Sequence, residues 1–242
     1  MIYVIADTHG GALDLERKLR HAPELTKNDT VIIAGDAGLM YGAYDMKALK
    51  YHMAGFPCRF IVMRGNHDAR YFDIATQNPE TWTITEDGKY AFENKFENIL
   101  YIKDVGGIYE IDGHKFLFVP GAYSVDKPYR LAAGFPYEPR EELTAAEADS
   151  LIQEAIQGDF EYVVSHTCPH HLIPRLEDLF LDGVDQSGVS YWTEKICDEI
   201  FNECKGKWKM WWFGHFHCDR AFEDESIEMV YDNFGVVPDD DE

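Results

Sequence analysis

Five short polar motifs each follow an apolar stretch: Asp7-Thr8-His9, Gly35-Asp36, Gly65-Asn66-His67-Asp68, His166, and Gly214-His215-Phe216-His217. They offer carboxylate and amide oxygens and imidazole nitrogens, with no thiolate among them. That donor mixture suits Mn, Fe, Co or Zn in a reactive site rather than a structural zinc knot. Asp7 and His9 alternate along extended chain, so both side chains can point at one ion; a turn with a hydrogen-bonding aspartate would read the same. Gly35-Asp36 alone is equally the content of a tight turn. In the third motif glycine permits close backbone approach, Asn66 brings a neutral oxygen, and His67 is placed to donate a proton with Asp68 beside it. A capped loop before a helix is the plainer alternative there. The paired imidazoles of His215 and His217 are expensive to bury without a partner. His170 and His171, shortly after His166, read as solvent-facing or outer-shell residues, because the donor set is complete without them.

The elements that must position these residues follow from apolar periodicity. Ile2–Ala6 reads as a strand leading to Ala12, Leu15, Leu19 and Ala22, which share one helical face. Val31–Ala34 is followed by Met46, Leu49 and Met53 at helical spacing, and Phe60–Met63 runs into the Gly65 loop. Such alternation implies parallel strands with right-handed crossovers. Ile99–Ile102, Ile108–Ile111 and Phe116–Val119 are short strands, the last two joined by the hairpin turn Asp112-Gly113. Thr144 with Glu147 announces a capping box, and Ala148, Leu151, Ile152, Ala155 and Ile156 form the stripe of the helix it starts. Tyr162–Val164 is a further strand. Val189, Trp192, Ile196, Ile200 and Phe201 mark another helix, ending near Gly206. Met210–Phe213 and strands around Ala221 and Met229 complete an α/β chain whose later strands build a second sheet. Asp7, Asp36, Asn66, His166 and His215 all fall just past the carboxyl ends of strands, where open α/β sheets bind ligands. Five strand ends aimed at one rim would gather residues far apart in sequence.

Composition bounds the partners. The chain has 242 residues and a formal net charge of -22, which repels a long polyanion and argues against nonspecific binding of duplex nucleic acid. Two divalent ions would reverse that sign locally, so a small phosphorylated or nucleotide-like substrate remains admissible. The N-terminus lacks the basic start and apolar core of a signal peptide, and no segment is apolar enough to span a bilayer. Cys58, Cys168, Cys197, Cys204 and Cys218 are odd in number and form no CxxC pair. A cytoplasmic setting is expected, with the thiols as apolar filler; an auxiliary role is the alternative for Cys168 and Cys218, beside ligand histidines. No linker divides the motifs, so one domain is expected over residues 1–237, ahead of an acidic tail at 238–242.

The ordered motif series, from Asp7 to His217, resembles the calcineurin-like metallophosphoesterase superfamily. The resemblance implies a four-layer α/β/β/α sandwich, two mixed sheets flanked by helices, with a dinuclear metal site at the strand rim. Carried over by position, Asp7, His9 and His217 would hold one ion and Asn66, His166 and His215 the other, with Asp36 bridging. His67 would act as acid or transition-state stabiliser, oriented by Asp68. The two ions, Mn foremost with Fe, Zn, Co or Ni as alternatives, would generate hydroxide for hydrolysis of a phosphate ester, a diester slightly favoured. The segment Gly121–Lys127 with Arg130 is similar to a motif of bacterial and phage members; Tyr123 and Arg130 either face substrate or brace the second sheet. The serine/threonine protein phosphatases of the superfamily carry Asp-Arg-Gly shortly after the bridging aspartate and Glu after Asn-His. Here Leu39-Met40-Tyr41-Gly42 and Asp68 stand instead. The arginine that would clamp a monoester is missing, leaving Arg64, Arg70 and Arg130 as candidate substitutes. The rivals are a phosphomonoesterase, a nuclease acting on short single strands, and a non-catalytic interaction scaffold.

Overall fold

Successive side chains leave a strand on opposite faces, and most strands here are apolar on both. The structure, a computed structural model, describes residues 1–41, 44–180 and 187–237. It begins with β1 (Ile2–Ile5), α1 (Ala12–Leu19), β2 (Thr30–Ala34), a ribbon of β3 (Met40–Tyr41) and β4 (Tyr44–Asp45), α2 (Lys47–Ala54) and β5 (Arg59–Met63). There follow α3 (Tyr71–Gln77), β6 (Trp82–Ile84), β7 (Tyr90–Glu93), β8 (Ile99–Ile102), β9 (Gly107–Ile111), β10 (His114–Val119) and α4 (Lys127–Ala133). The remainder comprises α5 (Ala145–Gln157), β11 (Tyr162–Ser165), a 3-10 helix (His170–Leu179), α6 (Trp192–Glu203), β12 (Met210–Phe213), β13 (Arg220–Phe222), β14 (Ile227–Met229) and β15 (Gly235–Val237).

One sheet has the order β15-β1-β2-β5-β8-β7-β6, the other β13-β14-β12-β11-β10-β9. In the first, β1, β2, β5 and β8 are parallel, flanked by antiparallel β15 and the β7–β6 hairpin. In the second, β10, β11, β12 and β14 are parallel and the edges β9 and β13 antiparallel. Tyr3, Ile5, Val31, Ile33, Phe60 and Val62 pack beneath Leu15, Leu49 and Met53 of the first helices. From the opposite face, Ile2, Val4, Ile32 and Ile61 meet Phe116, Phe118, Tyr162, Val164 and Trp212 between the sheets. Leu117, Val163, Trp211 and Phe213 then pack under Leu151, Ile152, Ile196 and Ile200. Helices, sheet, sheet, helices: this is the α/β/β/α order, and two mixed sheets as expected.

The Asp112-Gly113 turn has φ of 50° and 88°, the paired left-handed geometry of a tight hairpin. The capping box forms, with Glu147 N donating to Thr144 Oγ1 at 3.3 Å and Thr144 N to Glu147 Oε2 at 2.8 Å. Three helices are shorter than their apolar stripes: Ala22 lies beyond α1, Met46 precedes α2 and Val189 precedes α6. The acidic stretch 238–242 and Gly42 lie outside the described residues. No disulfide forms among the described cysteines; Cys58, Cys168, Cys197 and Cys204 are buried as apolar filler, and Cys218 is half-buried. Among the described residues no helix is long and apolar enough to cross a membrane.

Candidate metal centre

β1, β2 and β5 lie side by side in one sheet and β11 and β12 in the other, and their carboxyl ends open on one rim. The loops that leave them are bonded to each other: Asp7 N donates to Gly35 O (3.1 Å), His9 N to Asp36 O (2.9 Å), and Gly214 N to His166 O (3.0 Å). At this rim Asp7, His9, Asp36, His215 and His217 adopt φ of 55°, 45°, 50°, 72° and 51°. Left-handed backbone costs a side-chain-bearing residue about 1–2 kcal/mol, so five such residues in one place are held there by the surrounding bonds. Gly65 is required for a different reason. A Cβ at this position would strike Asp36 Oδ1 and His166 Nε2, so the loop approaches the centre only as glycine.

Asp7, His9 and His217 form one cluster, and Asp7, Asp36 and His166 another, with donor atoms within 4.8 Å of one another in each. Asp7 Oδ2 accepts from His215 N at 2.9 Å. Its Oδ1 is buried without a hydrogen-bond partner, facing Nε2 of His217 and of His9 at 3.6 and 3.9 Å. The two Nε2 atoms are 2.9 Å apart. An orphaned buried oxygen with two imidazole nitrogens converging on it is what a cation completes, so the residues present fit divalent metal. Asn66 Oδ1 stands 2.7 Å from His166 Nε2 and 3.1 Å from His215 Nδ1. His166 Nδ1 donates to Ala34 O at 2.9 Å, which directs Nε2 into the site, 3.6 Å from Asp36 Oδ2.

The charges are strongly coupled. Burial would raise the Asp7 carboxyl, but the neighbouring His217 imidazole and the charge of His166 leave it below the ordinary carboxylate value. Asp36 is driven well below that value, against its burial, chiefly by His166. Burial acts to lower His166, yet Asp36 beside it raises the imidazole to about 9. Burial lowers His9 and His67 despite Asp36, and takes His215 down to about 3. The two carboxylates are anionic, as metal ligation requires, and His166, raised by Asp36, would give up its proton on binding a cation.

His67 N donates to Asp36 Oδ1 at 2.9 Å, and its Nε2 is 4.0 Å from Asp36 Oδ2. Asp68, expected from the sequence to orient His67, lies buried next to it and accepts from three loop N–H groups. The donors are Ala37 N (3.2 Å), Gly38 N (3.0 Å) and Gly65 N (2.9 Å), so Asp68 ties the Asp36 loop to the Asn66 loop. Burial and then Asp36 raise its carboxyl to about 6. Arg70, a candidate substrate contact, is buried and pairs with Glu147 at 2.7 Å and Asp73 at 3.4 Å, joining α3 to α5. Arg64 is buried too, donating to Asp104 O at 2.8 Å and Glu141 O at 2.7 Å. Arg130 pairs with Asp126 at 2.7 Å, and its charge reaches His67. Tyr123 borders a cavity shared with His215. His170 packs on Tyr191 and His171 is held between Asp198 and Glu225, neither of them within the two clusters.

Three supporting residues escaped the sequence. Tyr41 OH is 3.1 Å from His9 Nδ1. Ser124 Oγ accepts from Asn66 Nδ2 at 2.9 Å. Tyr231 stacks on His217, centroids 5.1 Å apart, and itself lies under Lys18 and Arg17. Tyr41 lay in the stretch read only for its missing arginine, and Ser124 in the Gly121–Lys127 segment.

The family model for calcineurin-like phosphoesterases matches residues 1–219. The chain belongs to the calcineurin-like phosphoesterase family. It is accordingly a metal-dependent phosphoesterase, a hydrolase of phosphate ester bonds. No curated protein matches it. Among solved structures it is similar to phosphopantetheinyl hydrolase from Mycobacterium tuberculosis, at 13% identity and a TM-score of 0.53, over 96% of this chain and 88% of that one. A protein of unknown function from Aquifex aeolicus is 16% identical over 96% of this chain and 89% of that one, with a TM-score of 0.40. The first likeness bears on the fold, the shared four-layer sandwich of this family.

Proposed function

We propose that this phosphoesterase uses two divalent ions, manganese foremost, and prefers phosphodiesters slightly over monoesters, with residues 1–237 working as one domain. The observation that carries the reading is the buried, unpartnered Oδ1 of Asp7 facing the Nε2 atoms of His9 and His217 beside Asp36 and His166. Asp7, His9 and His217 would hold one ion and Asn66, His166 and His215 the other, with Asp36 serving as a shared ligand. When bound, the ions supply positive charge for the phosphoryl oxygens and make water acidic enough to attack near neutral pH. His67 does the proton work. Half-buried, with its backbone N bonded to Asp36 Oδ1, it protonates or stabilises a leaving oxygen. Arg130 and Tyr123 border the centre and contact the ester. A monoester dianion calls for a bidentate arginine. Arg64 and Arg70 are spent on protein partners, which favours the singly charged diester.

Protein loaded with manganese is expected to cleave bis-p-nitrophenyl phosphate faster than p-nitrophenyl phosphate, and both chelation and Asp36→Ala should abolish turnover of each. A faster monoester would reverse the preference. Activity surviving both chelation and Asp36→Ala would overturn the mechanism.

A further inference from the structure

His215 forms one wall of a small cavity of about 30 Å³ whose other walls include Tyr123, Phe180, Tyr191, Phe216 and Glu194. Glu194 stands in the first turn of α6 and is only 3% exposed. Its Oε1 accepts from Thr167 Oγ1 at 2.8 Å, while Oε2 is buried with no partner. Burial raises this carboxyl to about 7 in spite of the Thr167 bond, and Glu142 adds like charge. Glu142 is itself engaged, accepting from Ser190 Oγ at 3.1 Å and Thr193 N at 3.3 Å. Thus one carboxylate oxygen, deep in the wall of a cavity against the metal centre, lacks a donor. Leaving a buried acceptor unmade costs about 1–3 kcal/mol. A ligand bringing a donor removes that cost, and a cationic donor does most, because it also neutralises the buried charge and is attracted by aromatic rings.

We propose that this cavity receives an ammonium group carried on a short alcohol substituent of the substrate, with Glu194 as its counter-ion. The preferred substrates are then phosphate esters of amino alcohols. The proposal rests on the phosphoesterase reading, since His215 is shared: a group seated on Glu194 lies against the centre that takes the phosphate. Its size limits the occupant to a small head, and the net charge of -22 assists a cation while opposing a second anionic group.

The test compares 2-aminoethyl, propyl and 2-acetamidoethyl p-nitrophenyl phosphates on the manganese-loaded protein, with bis-p-nitrophenyl phosphate as reference. The aminoethyl ester is expected to exceed the isosteric propyl ester by about tenfold or more in kcat/KM, some 1.4 kcal/mol. Glu194→Gln should bring that ratio close to one, and Tyr191→Leu, which leaves the carboxylate in place, should lower it. Binding of ethylammonium to the metal-free protein, followed by ligand-observed NMR, should be seen in the wild type and lost in Glu194→Gln. Equal rates for aminoethyl and propyl esters would overturn the ammonium site while cleavage of the reference leaves the phosphoesterase reading standing. An acetamidoethyl ester as good as the aminoethyl one would overturn it in favour of a neutral donor. Should Glu194→Gln not fold, an unchanged ratio in Tyr191→Leu overturns the proposal. Failure to cleave any ester would sink the phosphoesterase reading alone, and ethylammonium binding would still decide the cavity.

Discussion

Asn66 can serve a cation only through Oδ1, and Ser124 decides which way its amide faces. Because Nδ2 donates to Ser124 Oγ at 2.9 Å, Oδ1 is left toward His166 and His215. Ser124 is itself buried, so the acceptor is held in place by its surroundings. Removing the hydroxyl strands a buried amide N–H and lets the amide turn. Loss of such an outer partner typically weakens metal binding about 10–100-fold. Ser124→Ala is therefore expected to raise the dissociation constant for manganese by at least about tenfold, measured by titration calorimetry on protein shown to be folded by circular dichroism. An affinity within about twofold of wild type would remove Ser124 from this role. The donors themselves were legible because few residue types ligate such ions and each followed an apolar run. Ser124 and Tyr41 were not, since a hydroxyl bonds whatever the tertiary register brings near. Asp68 was legible as important but not in its partners: an aspartate beside a histidine invites pairing with it, while three loop N–H groups offer more hydrogen bonds to a buried carboxylate.

At the scale of elements, the strands and helices that build the cores were visible because burial imposes period on them. The missed ones carry little such period. None of the residues of α4 is buried, so it has no apolar face to find. The 3-10 helix departs from 3.6-residue spacing and contains Pro174. β15 has three residues and exists by pairing antiparallel with β1 from the far end of the chain. Leu172 and Leu176 dock the 3-10 helix in the core, and His171 clamps it, its Nδ1 and Nε2 meeting Asp198 of α6 and Glu225 of the β13–β14 turn at 2.5 and 2.6 Å. Arg175 also reaches Glu225, at 2.9 Å, and Phe201 packs on the imidazole. Burial alone would lower the His171 pKa, but the two carboxylates raise it above the ordinary value. A raised folded-state pKa gives stability that is complete below the unfolded value, about 6.5, and lost as pH rises through the folded one. His171→Gln should thus lower the melting temperature more at pH ~5.5 than at pH ~9, as read by paired thermal melts. Equal losses at both pH values would mean that the imidazole contributes no charge to the clamp.

The whole molecule sets the field in which the centre works. Three apolar layers hold five loop ends at one rim, so the cation-binding pocket is a small region of an otherwise acidic body. Acidic side chains number 44 against 22 basic ones, and two divalent ions would offset only about four of the net -22 charges. An anionic ester therefore approaches against the long-range field and is attracted only at short range, where screening acts least. Salt at about 0.15 M contracts the reach of exposed charges to about 8 Å, while contacts within the centre persist. Raising potassium chloride from ~10 to ~150 mM should consequently increase kcat/KM for bis-p-nitrophenyl phosphate while leaving kcat nearly unchanged, in steady-state assays at fixed manganese. A protein that captured nucleic acid through a basic track would show the opposite slope, because salt removes the counterion-release term that drives such binding. A kcat/KM falling steeply with salt would place a cationic approach path on this surface and favour the single-strand nuclease reading over a small ester.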